Sequence, residues 1–311
     1  MNENYDVIII GSGPSGMTAG IYALRAGLSV LVFEKMAVGG QTALTQKIEN
    51  YPGFSEISGF DLAENMYNQL VMLGGKVVFK EVESIVIKDG VKSVLAGGLT
   101  YNASAIILSM GASSRPLGTN EDKKFLGKGL SYCAVCDGAF FRDKVVAVVG
   151  GGNSALQDIE YLSGIAKEII HINRRAEFRA DAVNTENYLK LLQSQKIKQF
   201  FGFVIEKLEG EDKLKSIVIK NIKTNEKLII DVDGLFVAIG RVPQTEIIQG
   251  VKLDEFGYIE VDKDMKTNLE GIFACGDITS KTLRQISTAV GDGAIAGTSA
   301  SVYVKKLKKG M

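Results

Sequence analysis

Hydrophobic residues gather in short unbroken runs, and each run meets a glycine. Residues 7–10, Val-Ile-Ile-Ile, stop at Gly11. An unbroken apolar run of that length reads as a strand buried on both faces of a parallel sheet. A glycine-rich turn follows, then a helical stretch over about residues 14–26. A second apolar strand over 29–33 stops at Glu34. Together these predict one βαβ unit. Residues 61–73 read as a helix. From 76 to 108 polar and apolar residues alternate, with breaks at Asp89-Gly90 and Gly97-Gly98. That pattern predicts a small antiparallel meander inserted in the first domain.

The plan then starts again. Residues 145–149 form a second apolar run, ending at Gly150; 153–163 read as a helix and 168–172 as a strand. Alternation over 203–230 predicts a second meander, and 235–240 closes the second unit. A last strand begins near Gly271, followed by a long helix carrying Lys305, Lys306, Lys308 and Lys309. A repeat of this size is a duplicated domain, not a short-period solenoid. Two linkers are predicted, 111–118 with Pro116 and 240–245 with Pro243. They place a second domain, 116–243, inside a first domain made of 1–112 and 247–311. The predicted fold class is α/β, with two Rossmann-like, three-layer ββα domains.

Composition narrows the chemistry. A chain of 311 residues is too long for one core and suits two domains. Its 36 basic and 36 acidic side chains balance, which points away from nucleic acid and membrane surfaces. No apolar run nears the ~20 residues that span a bilayer. The N-terminus enters a strand pattern without a basic region, apolar stretch or cleavage site, so a cytoplasmic protein is expected. Three cysteines and one histidine, His171, are too few for a disulfide framework or a four-ligand zinc site, and no metal is expected.

Gly11-Ser12-Gly13-Pro14-Ser15-Gly16 has the spacing G-x-G-x-x-G. The first glycine permits the tight turn, the second lets backbone approach a pyrophosphate, and the third lets helix and strand pack closely. The phosphates would sit on free N–H groups at the helix N-terminus. Glu34, 23 residues after Gly11, suits ribose hydroxyls. The bland alternative is a structural glycine turn. A second fingerprint, Gly150-Gly151-Gly152-Asn153-Ser154-Ala155, has no acid at the end of its next strand. Arg174 and Arg175 stand there instead, with Arg179 close by. Planar guanidinium forks suit the 2′-phosphate of NADPH, although a solvated basic face would read the same way.

Cys133-Ala134-Val135-Cys136 puts two thiols within bridging reach, and such pairs do redox work in reducing compartments. Asp137 follows directly and is the best acid/base candidate, unless it is only the turn residue of Asp137-Gly138. His171, inside an apolar strand, reads as a strand residue with a satisfied partner. Cys275 reads as a small buried thiol. Phe140 and Phe141 could dock a partner or pack the core.

In order and spacing these motifs resemble bacterial-type, low-molecular-weight thioredoxin reductases, over residues 5–303. Further carriers of the resemblance are Gly39-Gly40-Gln41, Glu49-Asn50-Tyr51-Pro52-Gly53, Gly271-Ile272-Phe273-Ala274-Cys275-Gly276-Asp277 and Arg284-Gln285. A dithiol ahead of the second glycine-rich strand, with no histidine after 171, separates this pattern from glutathione reductase-like chains. The resemblance implies an FAD site formed by Gly11, Ser12, Gly13, Pro14, Ser15, Gly16, Glu34, Gly39, Gly40, Gln41 and Asn50, with Val82 at the adenine end. Gly276, Asp277, Arg284, Gln285 and Ile286 would complete it. NADPH would fall to Gly150, Gly152, Asn153, Ser154, Arg174, Arg175 and Arg179, with Arg241 as a further contact. Catalytic roles would fall to Cys136 facing the flavin, Cys133 attacking the partner's disulfide, and Asp137 handling the proton.

Electrons would pass from NADPH through FAD and the dithiol to thioredoxin. The resemblance also implies a homodimer and rotation of the inserted domain on its two linkers. Asn173 stands where these proteins usually have histidine, and Gln157-Asp158 where they usually have two glutamates. Some relatives take electrons from ferredoxin, which is the alternative donor. A small-molecule dithiol oxidase and a non-enzymatic flavin protein are further alternatives; the second βαβ unit with its arginines opposes the first, and the intact Cys133, Cys136 and Asp137 oppose the second.

Overall fold

A computed structural model describes residues 3–45, 48–88, 90–193 and 196–310. It divides into two compact units, one of residues 1–113 and 242–311, the other of 114–241.

The first unit begins with β1 (Glu3–Ile10), α1 (Pro14–Arg25), β2 (Val30–Glu34), α2 (Gly59–Met72), β3 (Lys76–Phe79), β4 (Val82–Lys88), β5 (Val91–Ala96), β6 (Leu99–Leu108) and β7 (Ala112–Ser114). Strands β2 and β6 flank β1, both parallel to it, and β3 adds in parallel to β2. Strands β4, β5 and β6 are antiparallel. The second unit runs α3 (Asp122–Phe125), β8 (Leu130–Ser131), α4 (Ala134–Asp137), β9 (Val145–Val149), α5 (Asn153–Ser163), β10 (Glu168–Asn173), α6 (Ala182–Leu192), β11 (Ile197–Phe201), β12 (Phe203–Gly210), β13 (Leu214–Asn221), β14 (Lys227–Asp231) and β15 (Gly234–Val237). Five of its strands form a parallel sheet in the order β11-β10-β9-β15-β8, and β12-β13-β14 form an antiparallel one. Strand β16 (Arg241–Pro243) leads back to the first unit, where β17 (Ile272–Ala274) joins β6 in parallel and α7 (Ile286–Lys308) ends the chain. The fold is the two-domain, Rossmann-like α/β arrangement the periodicity predicts.

Alternation along the central strands builds three layers in each unit. Val7 and Ile9 pack with Met17 of α1, Leu70 of α2 and Ala296 of α7. Ile8 and Ile10 point the other way, to Val82, Val94 and Leu31. In the second unit Val146 and Val148 meet Leu156, Ile159 and Tyr188 on the helical side. Ala147 and Val149 meet Leu208, Ile217 and Ile219 of the meander. Because both faces are covered, the central strands are apolar throughout. Helix α7 lies against α1 through Gly293 and Gly297, where any side chain would run into the carbonyls of Ser15 and Ala19. That close approach sets α7 beside the first glycine turn.

Two expectations change. Residues 76–79 are not part of the meander; they are the parallel edge strand β3. Four residues reading Lys-Val-Val-Phe carry no sign of pairing direction, but the preceding α2 makes a crossover, which delivers a parallel neighbour. Nor is the meander a separate insert, since its last strand, β6, runs on into the parallel sheet beside β1. The predicted turn at Asp89-Gly90 includes Asp89, which lies outside the described residues. The linker segments contain strands of their own: β7 and β16 pair as a two-stranded ribbon.

Candidate active site

In the first unit the turn after β1 is held from below. Gly11 takes φ +100°, and the Ser109 hydroxyl at the end of β6 reaches the carbonyls of Ile10 (2.8 Å) and Gly11 (2.9 Å). Glu34, at the end of β2, reaches back to the same turn. Its carboxylate accepts from Ser12 N (3.0 Å), the Ser12 hydroxyl (2.8 Å) and Met36 N (3.0 Å). Gly39 N donates to Ser12 O at 2.9 Å, so Gly39-Gly40-Gln41 stands next to the fingerprint.

From the C-terminal part of this unit Gly276 closes on Ser15, leaving no room for a Cβ. Its N–H donates to the Asp292 carboxylate of α7 (3.0 Å), which is also ion-paired with Lys281. Arg284 lies over the Tyr258 ring and donates to the carbonyls of Asp277 (3.4 Å) and Thr279 (3.3 Å). Asn50 donates to the Gln285 side chain at 3.1 Å. Ile286 opens α7, with Gln285 as its cap in a capping box with Thr288. Val82 is buried at the start of β4, on the antiparallel arm. Cys275 is fully buried, and burial together with the Asp292 charge pushes its thiol up to about 12, out of redox range.

The second turn uses different parts for the same task. Gly150 takes φ +145°, and its carbonyl accepts from His171 Nε2 at 2.8 Å. A carbonyl only accepts, so Nε2 carries the proton and Nδ1 accepts from the Tyr188 hydroxyl at 2.7 Å. Gln199 in turn donates to that hydroxyl at 2.7 Å. Burial holds His171 neutral, with its pKa lowered to about 4. His171 is therefore a strand residue with both ring nitrogens satisfied, as the apolar run around it implies.

Arg174, Arg175 and Arg179 are exposed on the loop after β10. Arg179 N donates to Gly151 O at 2.7 Å, and Asp181 N to the Asn153 side chain at 2.8 Å, so the arginine loop is tied to the fingerprint. Asn173, the departure from the usual histidine, is buried with its amide against Gly151. Ser154 is exposed and Arg241 half-buried. Arg241 draws the pKa of Asp158 down, but burial of that carboxylate outweighs it and leaves Asp158 raised to about 7.

Among the helices longer than one turn, caps separate these two turns from the rest. Helix α2 is capped by the Ser58 hydroxyl, α6 by the Asp181 carboxylate and α7 by its capping box. Helices α1 and α5 have no side-chain cap. Space for a Cβ is open at Gly13 and Gly152, their N-cap residues. Uncapped N–H groups beside open space are what a pyrophosphate requires.

The dithiol lies on α4 of the second unit. Cys133 and Cys136 are joined as a disulfide, and Cys136 N donates to Cys133 Sγ at 3.1 Å. Cys133 is half-buried and Cys136 exposed. The Asp137 carboxylate accepts from the Ser131 hydroxyl at 2.6 Å, and that same oxygen accepts from Cys133 N at 3.0 Å. Ser131 is a residue the motifs did not single out; a serine two places ahead of the helix cap was the available signal. Phe140 is exposed, whereas Phe141 packs edge-on against Phe236 in the core. Among the described residues no His, Cys, Asp and Glu cluster suits a metal ion, and no helix is long and apolar enough to cross a membrane.

Two dinucleotide-type turns in one chain, one unit also carrying a dithiol, define a nucleotide-dependent disulfide oxidoreductase. The chain belongs to the pyridine nucleotide-disulphide oxidoreductase family, which matches residues 5–293. It is 41% identical over 309 residues to the thioredoxin reductase of Treponema pallidum (strain Nichols), covering 99% of this chain and 100% of that one. Its structure is similar to that of Lactococcus lactis thioredoxin reductase, with a TM-score of 0.91 and 38% identity over 97% of this chain and 99% of the other. A ferredoxin-flavin thioredoxin reductase from Clostridium acetobutylicum is more distant, with a TM-score of 0.55 and 29% identity over 99% of this chain and 100% of the other.

Proposed function

We propose that this protein is a cytoplasmic, homodimeric, NADPH-dependent thioredoxin reductase. The first unit would bind FAD and the second NADPH. The observation that carries this reading is the dithiol helix, with Asp137, set in the unit whose arginines suit a 2′-phosphate. FAD would supply a two-electron carrier between NADPH and the Cys133–Cys136 disulfide.

The uncapped N-terminus of α1 holds one pyrophosphate and that of α5 the other. Glu34 serves the ribose of the first nucleotide, trading part of its hold on Ser12 for the hydroxyls. Asn50, Gln285 and the Gly276-Asp277 turn would hold the flavin, while Arg174, Arg175 and Arg179 would hold the 2′-phosphate. Cys133 is the sulfur that attacks the thioredoxin disulfide, since the Cys136 N–H stabilises negative charge on it. Cys136 would be the sulfur that faces the flavin, and it resolves the mixed disulfide by attacking Cys133. Asp137 supplies the proton that the departing thiolate of thioredoxin needs.

Anaerobic titration of the flavin-loaded protein tests the donor. One equivalent of NADPH bleaches the flavin absorbance. A flavin that is left oxidised by NADPH but bleached by reduced ferredoxin would sink this reading. Cys136→Ser removes the long-wavelength band of the reduced enzyme; if Cys133→Ser removes it instead, the two sulfurs have the opposite roles.

A further inference from the structure

We infer that Ser131 is a positioning residue for disulfide exchange, joining the proton-handling Asp137 to the backbone of Cys133 in one hydrogen-bonded unit. This rests on the disulfide-reductase reading above.

Ser131 ends β8 and is buried, two residues before the dithiol. Its hydroxyl oxygen accepts from Cys133 N (3.0 Å), so its single proton is free to donate. Two acceptors lie in reach, the Asp137 carboxylate at 2.6 Å and Cys133 O at 3.2 Å. The shorter contact goes to the carboxylate, a charge-assisted hydrogen bond. When Asp137 takes up a proton, that acceptor weakens and the hydroxyl can turn to Cys133 O without losing a partner. When Asp137 gives its proton to the departing thiolate of thioredoxin, the hydroxyl turns back. The Cys133 N–H contact persists in both states, so the attacking sulfur and the acid stay in register while the proton moves.

The elements packed most closely on α4 are α5 and the Gly138–Phe141 turn. The titratable side chains of α5 are Asp158, Glu160 and Tyr161, and the Gly138–Phe141 turn has none. Asp158 titrates near pH 7, so its contribution must be separated from that of Asp137.

The test uses the full, flavin-loaded chain reduced with dithionite and mixed with oxidised thioredoxin, which makes it independent of NADPH. Ser131→Ala slows exchange about tenfold, the loss of one charge-assisted hydrogen bond, and displaces the pH profile of exchange. That shift persists in an Asp158→Asn background, and Ser131→Thr, which keeps a hydroxyl, restores most of the rate. Flavin content and the far-ultraviolet circular dichroism of Ser131→Ala match the parent, showing a folded protein. Unchanged exchange in Ser131→Ala overturns the inference. So does slower exchange with an unmoved profile, because that is loss of packing alone. A parent protein whose flavin ignores NADPH counts against the proposed donor and leaves this comparison intact.

Discussion

The two glycine turns both place their first glycine at positive φ and support its carbonyl by unlike means. In the first unit a serine hydroxyl, Ser109, supports the Gly11 carbonyl, and Glu34 ties down the residue after it. In the second a neutral histidine supports the Gly150 carbonyl and is itself supported by Tyr188 and Gln199. The first support is a single small group. The second is a relay crossing three strands and a helix, packed among Phe178 and Phe201. A first glycine at positive φ is thus common to both units, while the side chains that support it differ.

The comparison is most easily broken at His171. His171→Ala takes the donor from the Gly150 carbonyl and the acceptor from the Tyr188 proton, while Gln199 still donates to the Tyr188 oxygen, and it opens a cavity, for a loss of about 4 kcal/mol in the second unit. Hydrogen exchange in β9 and β10 localises the effect; protection loss spread equally over both units would contradict it.

Acid sharpens the same contrast. The folded pKa of His171, about 4, lies below the ordinary 6.5, so the unfolded chain takes up its proton first as pH falls. Its contribution is complete above pH 6.5 and drains away toward pH 4, a loss on the order of 3 kcal/mol. Asp158 works the other way. Its pKa is raised from 3.8 to about 7, so its contribution is complete below 3.8 and is lost as pH rises through 7. Asp158→Asn should therefore steepen the acid loss in the second unit, read from urea midpoints between pH 8 and 4. Parallel profiles for parent and variant would remove Asp158 from the account.

At the strand ends, replacing Arg174, Arg175 and Arg179 by alanine should raise KM for NADPH roughly a hundredfold, with little change for NADH. Equal losses with both donors would mean that the arginines form a solvated face. The smallest effect is expected at Ser109→Ala, about 1 kcal/mol by urea unfolding. A loss matching that of His171→Ala would make the two supports equivalent.

Much of this was legible because parallel, doubly covered strands are continuous apolar runs, and 7–10 and 145–149 can hardly be read otherwise. The sequence pattern does not mark helix α6 or strand β11, and their residues show why. Only Tyr188 of α6 is buried, and β11 reads Ile-Lys-Gln-Phe-Phe without clean alternation. The dithiol and the glycines declared themselves through spacing. Ser131 and the Tyr188–Gln199 support of His171 did not, because their partners come together only through folding, or through a turn geometry that composition does not encode. The direction of β3 was hidden for a similar reason: pairing depends on the path of the chain, not on four side chains.

The ribbon of β7 and β16 has a consequence for how such a chain could arise and be rebuilt. Arg115 N donates to Gly240 O at 2.8 Å, so both ends of the inserted unit meet. The cut ends of the host meet too, through Ser113, Val242 and Gln244. Excising residues 114–241 would leave a gap that a very short connector can bridge, at little cost in closure entropy. The insert is a cassette: its two ends lie side by side, as a gene segment spliced into a continuous host would leave them.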